Sequence, residues 1–237
     1  MKEPIVLFDV GKTLIDSEAI IKTALDCTIK GLKQAGFVED DKEFRAAYLQ
    51  ANESTTFQHI NHTYSDFWII RKAWRSLGFS DDYRLYANFL FEYRNHVRAN
   101  IKPDPLIVKV FQRLRNRDVL LGVASDGTIV EQLETIMRLG IVPYLKSDLI
   151  FVSEEIGVEK TDRGFYECVL EKTKRLDRRV VIVGDRLDAD VSIPKEFGVI
   201  TVLLVKYVKY PQGKIRRASP NFVINDLAKI ESLIDSF

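Results

Sequence analysis

Short apolar runs rich in β-branched residues, each ending in a small or acidic residue, constrain this fold more than any other feature. They lie at residues 5–8, 119–124, 149–152, 180–183 and 199–205, with a weaker one at 222–224. Runs of this kind suit strands buried on both faces. Helical patterns alternate with them. Residues 105–117 open on proline and carry Leu106, Val110 and Leu114 on one face. Residues 128–139 start with Thr128 and Glu131 in capping-box spacing and stop at Gly140. The alternation predicts an α/β fold with a doubly wound, Rossmann-like parallel sheet.

Residues 16–99 break the alternation. They show no strand run, and their aromatics (Phe57, Tyr64, Phe67, Trp68, Trp74, Phe79, Tyr83, Tyr86, Phe89, Phe91, Tyr93) fall in helical patterns. Such a stripe reads as the core of a helical bundle. The predicted layout is an α/β core from residues 1–15 and 100–237, with a helical domain at 16–99 inserted after the first strand. A hydrophobic content of 46% is ordinary for a soluble protein, and a net charge of +1 supplies no global field to recruit nucleic acid or an anionic membrane. No signal peptide and no apolar stretch of about 18 residues is present, which predicts an intracellular, cytoplasmic protein. Cys27 and Cys168 lie far apart in helical patterns and read as two buried thiols.

The opening "IVLFDVGKTLID" poses a choice. Gly11-Lys12-Thr13 looks like the end of a nucleotide-binding loop, but that loop needs its first glycine at position 6, where Val6 stands in the strand. Asp9 is the better candidate. It follows the first strand, and ligands of open α/β sheets bind beyond the carboxyl ends of strands. Other strand ends supply further parts. "ASDGT" offers Ser125 and the amides of Asp126 and Gly127 ahead of a helix, a cradle for phosphate. Lys160 can pair with both an aspartate nucleophile and a transferring phosphoryl group. Asp185, Asp188 and Asp190 in "VGDRLDAD" crowd one strand end and its turn; such crowding calls for a hard cation, and oxygen ligands select Mg²⁺.

This ordered set resembles the haloacid dehalogenase superfamily, whose members are mostly Mg²⁺-dependent phosphatases, over nearly the whole chain. Asp9 and Thr13 match its first motif, Ser125 the second, Lys160 the third, and Gly184, Asp185 and Asp190 the fourth. Residues 16–99 look like the family's helical cap, and "SPNFVINDLAKI" like its final strand and helix. The resemblance implies an aspartyl-phosphate on Asp9, assisted by Lys160 and Ser125. It implies substrate contacts from Thr13, Ser125, Asp126, Gly127 and Lys160. It also implies a Mg²⁺ site built from the Asp9 carboxylate, the Gly11 carbonyl, the Asp185 carboxylate and waters held partly by Asp190.

One part departs from the pattern. The family's phosphatases carry a second Asp two residues after the nucleophile, as general acid and base; here that residue is Gly11, followed by Lys12. A glycine keeps its carbonyl but moves no proton. Lys12, His59, His62, Tyr64 and Asp66 are candidate replacements, the last four in a cap that closes over the site in this architecture. The expected function is a phosphatase of a small phosphorylated metabolite. Two alternatives stay open, a metal- and phosphate-binding protein with little catalysis and a 2-haloacid dehalogenase. Arg71, Lys72, Arg75, Arg94 and Arg98 suit an anionic substrate or a plain surface. Residues 206–217, "KYVKYPQGKIRR", interleave cations with Tyr207 and Tyr210 but read as a solvated loop, not a nucleic-acid surface.

Overall fold

The computed structural model describes residues 2–38, 40–55 and 66–237. Two compact units divide it, Met1–Asp16 with Lys102–Phe237, and Ser17–Ile101. Strand β1 (Ile5–Phe8) is followed by helices α1 (Ser17–Gln34), α2 (Asp41–Thr55), α3 (Asp66–Ser76) and α4 (Tyr83–Asn100). The chain then runs through α5 (Pro105–Asn116), β2 (Leu120–Ser125), α6 (Ile129–Arg138) and β3 (Leu145–Val152). After α7 (Ser153–Ile156), α8 (Arg163–Lys174) and β4 (Val180–Gly184) comes a π-helical turn, Leu187–Ser192. α9 (Ile193–Glu196), β5 (Ile200–Leu204), α10 (Gln212–Ala218), β6 (Phe222–Ile224) and α11 (Ile230–Leu233) complete the larger unit.

Among the described residues, six parallel strands form one sheet in the order β3-β2-β1-β4-β5-β6. β1 lies inside, between β2 and β4, with all four of its side chains fully buried, which explains its unbroken apolar sequence. The chain leaves β1 toward β2 on one side and returns to β4 on the other, so the switch in strand order opens a crevice beyond the end of β1. Gly122 is required on β2, because a Cβ there would overlap the Leu149 carbonyl and the Leu7 side chain. Helix starts follow ordinary capping: Asp104 accepts from the Leu106 amide and Thr128 from the Glu131 amide. α5 buries Ile107, Val110, Phe111 and Leu114, while Leu106 is exposed. The expected face therefore holds at Val110 and Leu114, while in the first turn Ile107 is buried in place of Leu106.

The smaller unit packs Leu25, Ile29, Phe44, Tyr48, Ile70, Trp74, Leu85, Phe89 and Tyr93 into its own core. Phe89 and Tyr93 stack with ring centres 5.5 Å apart. Not every aromatic of the stripe is internal: Phe79, Tyr83 and Phe91 are exposed, and Phe57 and Tyr64 lie outside the described residues. Phe79 instead stacks on Trp74 from outside, at 4.4 Å. Asp81 joins α3 to α4, accepting from Arg71, Arg75 and the Tyr86 hydroxyl. The cysteines depart from expectation too. Cys27 is exposed on α1 and Cys168 is half-buried on α8. Among the described residues, no helix is long and apolar enough to cross a membrane.

Candidate active site

Asp9 leaves the end of β1 and stays buried, its amide donating to the Val183 carbonyl at 2.9 Å. The next residues turn sharply. Lys12 adopts the left-handed conformation at φ 54°, and the Leu14 and Ile15 amides return to the Val10 carbonyl. Gly11 sits half-exposed in that turn, with a backbone bridge to Ile15, and Thr13 is buried. Gly11 itself is not among the residues with positive φ, so backbone φ does not demand glycine at this position.

Lys160 is the centre of charge. Its ammonium lies 2.7 Å from Asp9 Oδ1 and 2.5 Å from Asp190 Oδ1, and the side chain is 1% exposed. Asp190 Oδ1 is nevertheless off the axis of any hydrogen bond, so it has an ionic neighbour without a directed donor. Thr13 Oγ1 is likewise buried without a partner. Asp9, Asp185 and Asp190 each bring a carboxylate oxygen to within 4.8 Å of the others. Gly184 makes this possible, since a Cβ at that position would overlap the Asp190 carboxylate. Tyr166 on α8 donates to the Ala189 carbonyl at 2.7 Å and fixes the π-helical turn that carries Asp190.

Three buried carboxylates lie together, and the one ammonium among them pairs with two, Asp9 and Asp190. Burial pushes Asp9 up to about 6; Lys160 opposes that rise and Asp190 adds to it. Burial likewise pushes Asp185 up to about 7, with Asp9 and Asp190 adding to the rise. Burial pulls Lys160 down, but Asp190 and Asp9 outweigh it and hold its pKa well above the ordinary lysine value. All donors are oxygens, two buried oxygens lack directed partners, and negative charge is in excess. That donor set fits a hard divalent cation.

The crowding expected among Asp185, Asp188 and Asp190 needs correcting. Asp188 points outward, 63% exposed and paired with Arg186, and the third member of the buried group is Asp9. Ser125 reaches the site, its hydroxyl donating to Asp9 Oδ1 at 3.4 Å. The expected amide cradle is partly committed elsewhere: the Gly127 amide donates to Ser153 Oγ at 3.0 Å and the Ile129 amide to Glu154 at 2.7 Å. Asp126 contributes its carboxylate, which accepts from the Lys160 amide at 2.8 Å and from Arg186 at 2.9 Å. Of the candidate replacement acids, Asp66 is paired with Arg94 at 3.4 Å, and His59, His62 and Tyr64 lie outside the described residues.

The tract at 206–217 is not wholly a loop. Its second half enters α10, which packs against the π-helical turn, and Lys206 stacks over Tyr207. Tyr210, from the same tract, has its phenol raised by burial and then by Asp185 and Asp188. Sequence reading missed Tyr166 and Arg186, whose contacts appear only in the folded site. For Arg186 the only available signal was a cation placed between two acidic positions, Asp185 and Asp188.

Fold and site together describe a doubly wound α/β protein that gathers a buried lysine and an acidic cluster at the carboxyl edge of its sheet. Residues 6–204 match the model of the haloacid dehalogenase-like hydrolases, and the chain belongs to that family. Among its relatives, a protein of Methanocaldococcus jannaschii named glyceraldehyde 3-phosphate phosphatase is 29% identical over 97% of this chain and 96% of its own length. Another of the same name, from Methanopyrus kandleri, is 30% identical over 83% and 82%. The fold is shared with YfnB of Bacillus subtilis, solved with magnesium bound: TM-score 0.73 and 19% identity over 99% of this chain and all of that one.

Proposed function

We propose that this hydrolase is a Mg²⁺-dependent phosphatase of a small phosphorylated metabolite, with Asp9 as nucleophile. The observation that carries the reading is the Lys160 ammonium, buried between Asp9 and Asp190 with Asp185 beside them. In the first step an Asp9 oxygen bonds to phosphorus while the bond from phosphorus to the ester oxygen breaks. In the second, water adds to phosphorus, phosphate leaves, and the Asp9 carboxylate is regenerated. Lys160 offsets charge on both Asp9 and the transferring group, and the Ser125 hydroxyl orients one phosphoryl oxygen. Asp9, Asp185, the Gly11 carbonyl and Asp190 would hold Mg²⁺, which supplies charge neutralisation for an anionic nucleophile meeting an anionic substrate.

Position 11 has no side chain to protonate the departing oxygen, so the alcohol leaves as alkoxide or takes its proton from water. Good leaving groups are therefore favoured. The names of the relatives make glyceraldehyde 3-phosphate the first substrate to test, within a panel of sugar and triose phosphates. Phosphate release is expected with Mg²⁺ and is abolished by EDTA and by Asp9→Asn. Activity that survives both treatments would remove the proposal.

The bare position 11 also favours a second reading, a metal- and phosphate-binding protein with little turnover. Incubation with an acyl phosphate distinguishes the two. Phosphorylation of Asp9 that persists for hours supports the second reading, and rapid release supports the first.

A further inference from the structure

The carboxylate of Asp126 and the guanidinium of Arg186 are used neither by the expected phosphate cradle nor by the charge cluster. Each of them nevertheless joins separate loops. Asp126 follows β2 directly, and Arg186 lies two residues beyond β4. In the sheet order those two strands flank β1, so they stand about 10 Å apart at the strand spacing of about 4.8 Å. The contact between Arg186 Nη1 and Asp126 Oδ2, at 2.9 Å, therefore spans the end of the strand from which Asp9 emerges. Few side chains are long enough to make that crossing.

The other oxygen, Asp126 Oδ1, accepts from the Lys160 amide at 2.8 Å. Lys160 Nζ meets Asp190 Oδ1, and Asp190 Oδ2 accepts from the Arg186 amide at 2.9 Å. The Asp190 amide returns to the Arg186 carbonyl, also at 2.9 Å. The links close a ring, from Asp126 to Lys160, to Asp190, to Arg186 and back to Asp126. Arg186 is braced on its outer side by Asp188, with two contacts of 3.2 Å. Burial pulls the guanidinium down, but Asp188, Asp126 and Asp190 outweigh that and keep it charged. Both oxygens of Asp126 are occupied by donors, so it is not placed to exchange protons in lieu of the missing acid.

We propose that Asp126 and Arg186 are positioning residues, an ionic clamp across the end of β1 that fixes Lys160 against Asp9 and Asp190. The proposal rests on the phosphatase reading only for its effect on rate, since the geometric effect on Lys160 is measurable without turnover. The most informative variant is Arg186→Gln. It leaves every donor and acceptor of the Lys160 amide in place and removes only the far side of the ring.

The test follows hydrogen exchange of the Lys160 amide by NMR in the full chain, with β1 amides as internal controls. Asp126→Asn, Arg186→Gln and the double variant are then assayed with Mg²⁺. Exchange at Lys160 is expected to speed up about tenfold in Arg186→Gln while the β1 amides keep their protection, and kcat to fall about tenfold with KM within about threefold. The double variant is expected to be no worse than the poorer single one, as for residues acting through one ring. If Arg186→Gln does not fold, Arg186→Lys serves, because an ammonium lacks the fork to hold Asp126 and Asp188 together; intermediate exchange is expected. Unchanged Lys160 exchange in a folded Arg186 variant overturns the clamp, whatever the activity does. Faster exchange in a protein that hydrolyses no phosphate ester supports the clamp and removes the phosphatase reading instead.

Discussion

Gly11→Asp tests the proposed chemistry most directly, because it restores a carboxyl group where the site lacks one. The backbone permits the change: Gly11 is not in the left-handed region, and the strained position, φ 54°, belongs to Lys12. A general acid or base contributes roughly 10² to 10⁴ in rate, or about 3–5 kcal/mol at 1.36 kcal/mol per decade. That gain should appear only where the leaving oxygen needs a proton. An alkyl phosphate is expected to accelerate by at least about 10², the lower end of that range, whereas p-nitrophenyl phosphate, whose phenolate leaves unaided, should change by less than about tenfold. The new carboxylate also joins Asp9, Asp185 and Asp190, where burial first and repulsion among the carboxylates second already raise Asp9 to about 6 and Asp185 to about 7. The assay therefore needs saturating Mg²⁺, with steady-state kinetics on both substrates and a circular dichroism check of folding. Equal acceleration of both esters, or of neither, in a folded variant that still binds Mg²⁺ would refute the proton-transfer argument.

The charge cluster predicts an unusual pH dependence of stability. Asp9 and Asp185 have folded pKa values above the unfolded 3.8, so their contribution is fully present below pH 4 and is lost as pH rises through about 6 and about 7. In EDTA the stability should fall between about pH 4 and 7 by an amount on the order of a few kcal/mol, read as a falling Tm, and saturating Mg²⁺ should flatten the profile; scanning calorimetry with a Tm that rises with pH in EDTA would contradict this. Lys160→Met leaves Asp9 and Asp190 buried without their counter-ion. It should cost about 3–5 kcal/mol at pH 8 without Mg²⁺ and markedly less at pH 5, where Asp9 is protonated; equal losses in chemical denaturation at the two pH values would show that Lys160 does not hold the cluster.

What the sequence made legible follows from which residues are buried. The β1, β2 and β4 runs stand out because they are interior strands whose successive residues, pointing to both faces of the sheet, are nearly all buried. The first half of β3 does not, because β3 is an edge strand and its Lys146, Ser147 and Asp148 face solvent or sit half-exposed. The same limit applies to the site. Asp9, Lys160 and the acidic run after β4 are legible as chemical types at strand ends. Nothing in "DRLDAD" says that a π-helical turn sends Asp190 inward and Asp188 outward, since neither helical nor strand periodicity describes that turn. Arg186 was opaque because its partner Asp126 is 60 residues earlier in the chain.

Sequence alone cannot say whether neighbouring charges share water or a dry interior, and this decides what the acidic cluster requires. Fully ionised, Asp9, Asp185 and Asp190 with Lys160 carry two negative charges in a volume closed to solvent. On a surface, water would screen that excess. Inside, only protons or a cation can offset it. Protons bound at about 6 and about 7 are half lost or more at neutral pH. A protonated Asp9 is moreover a poor nucleophile, so the state that relieves the repulsion by protonation is also the state that cannot react. One divalent cation removes the excess and leaves Asp9 ionised. On the proposed mechanism one bound ion would serve both the charge balance and the reactivity of Asp9, and phosphorylation of Asp9 at neutral pH with every divalent cation removed would break that link.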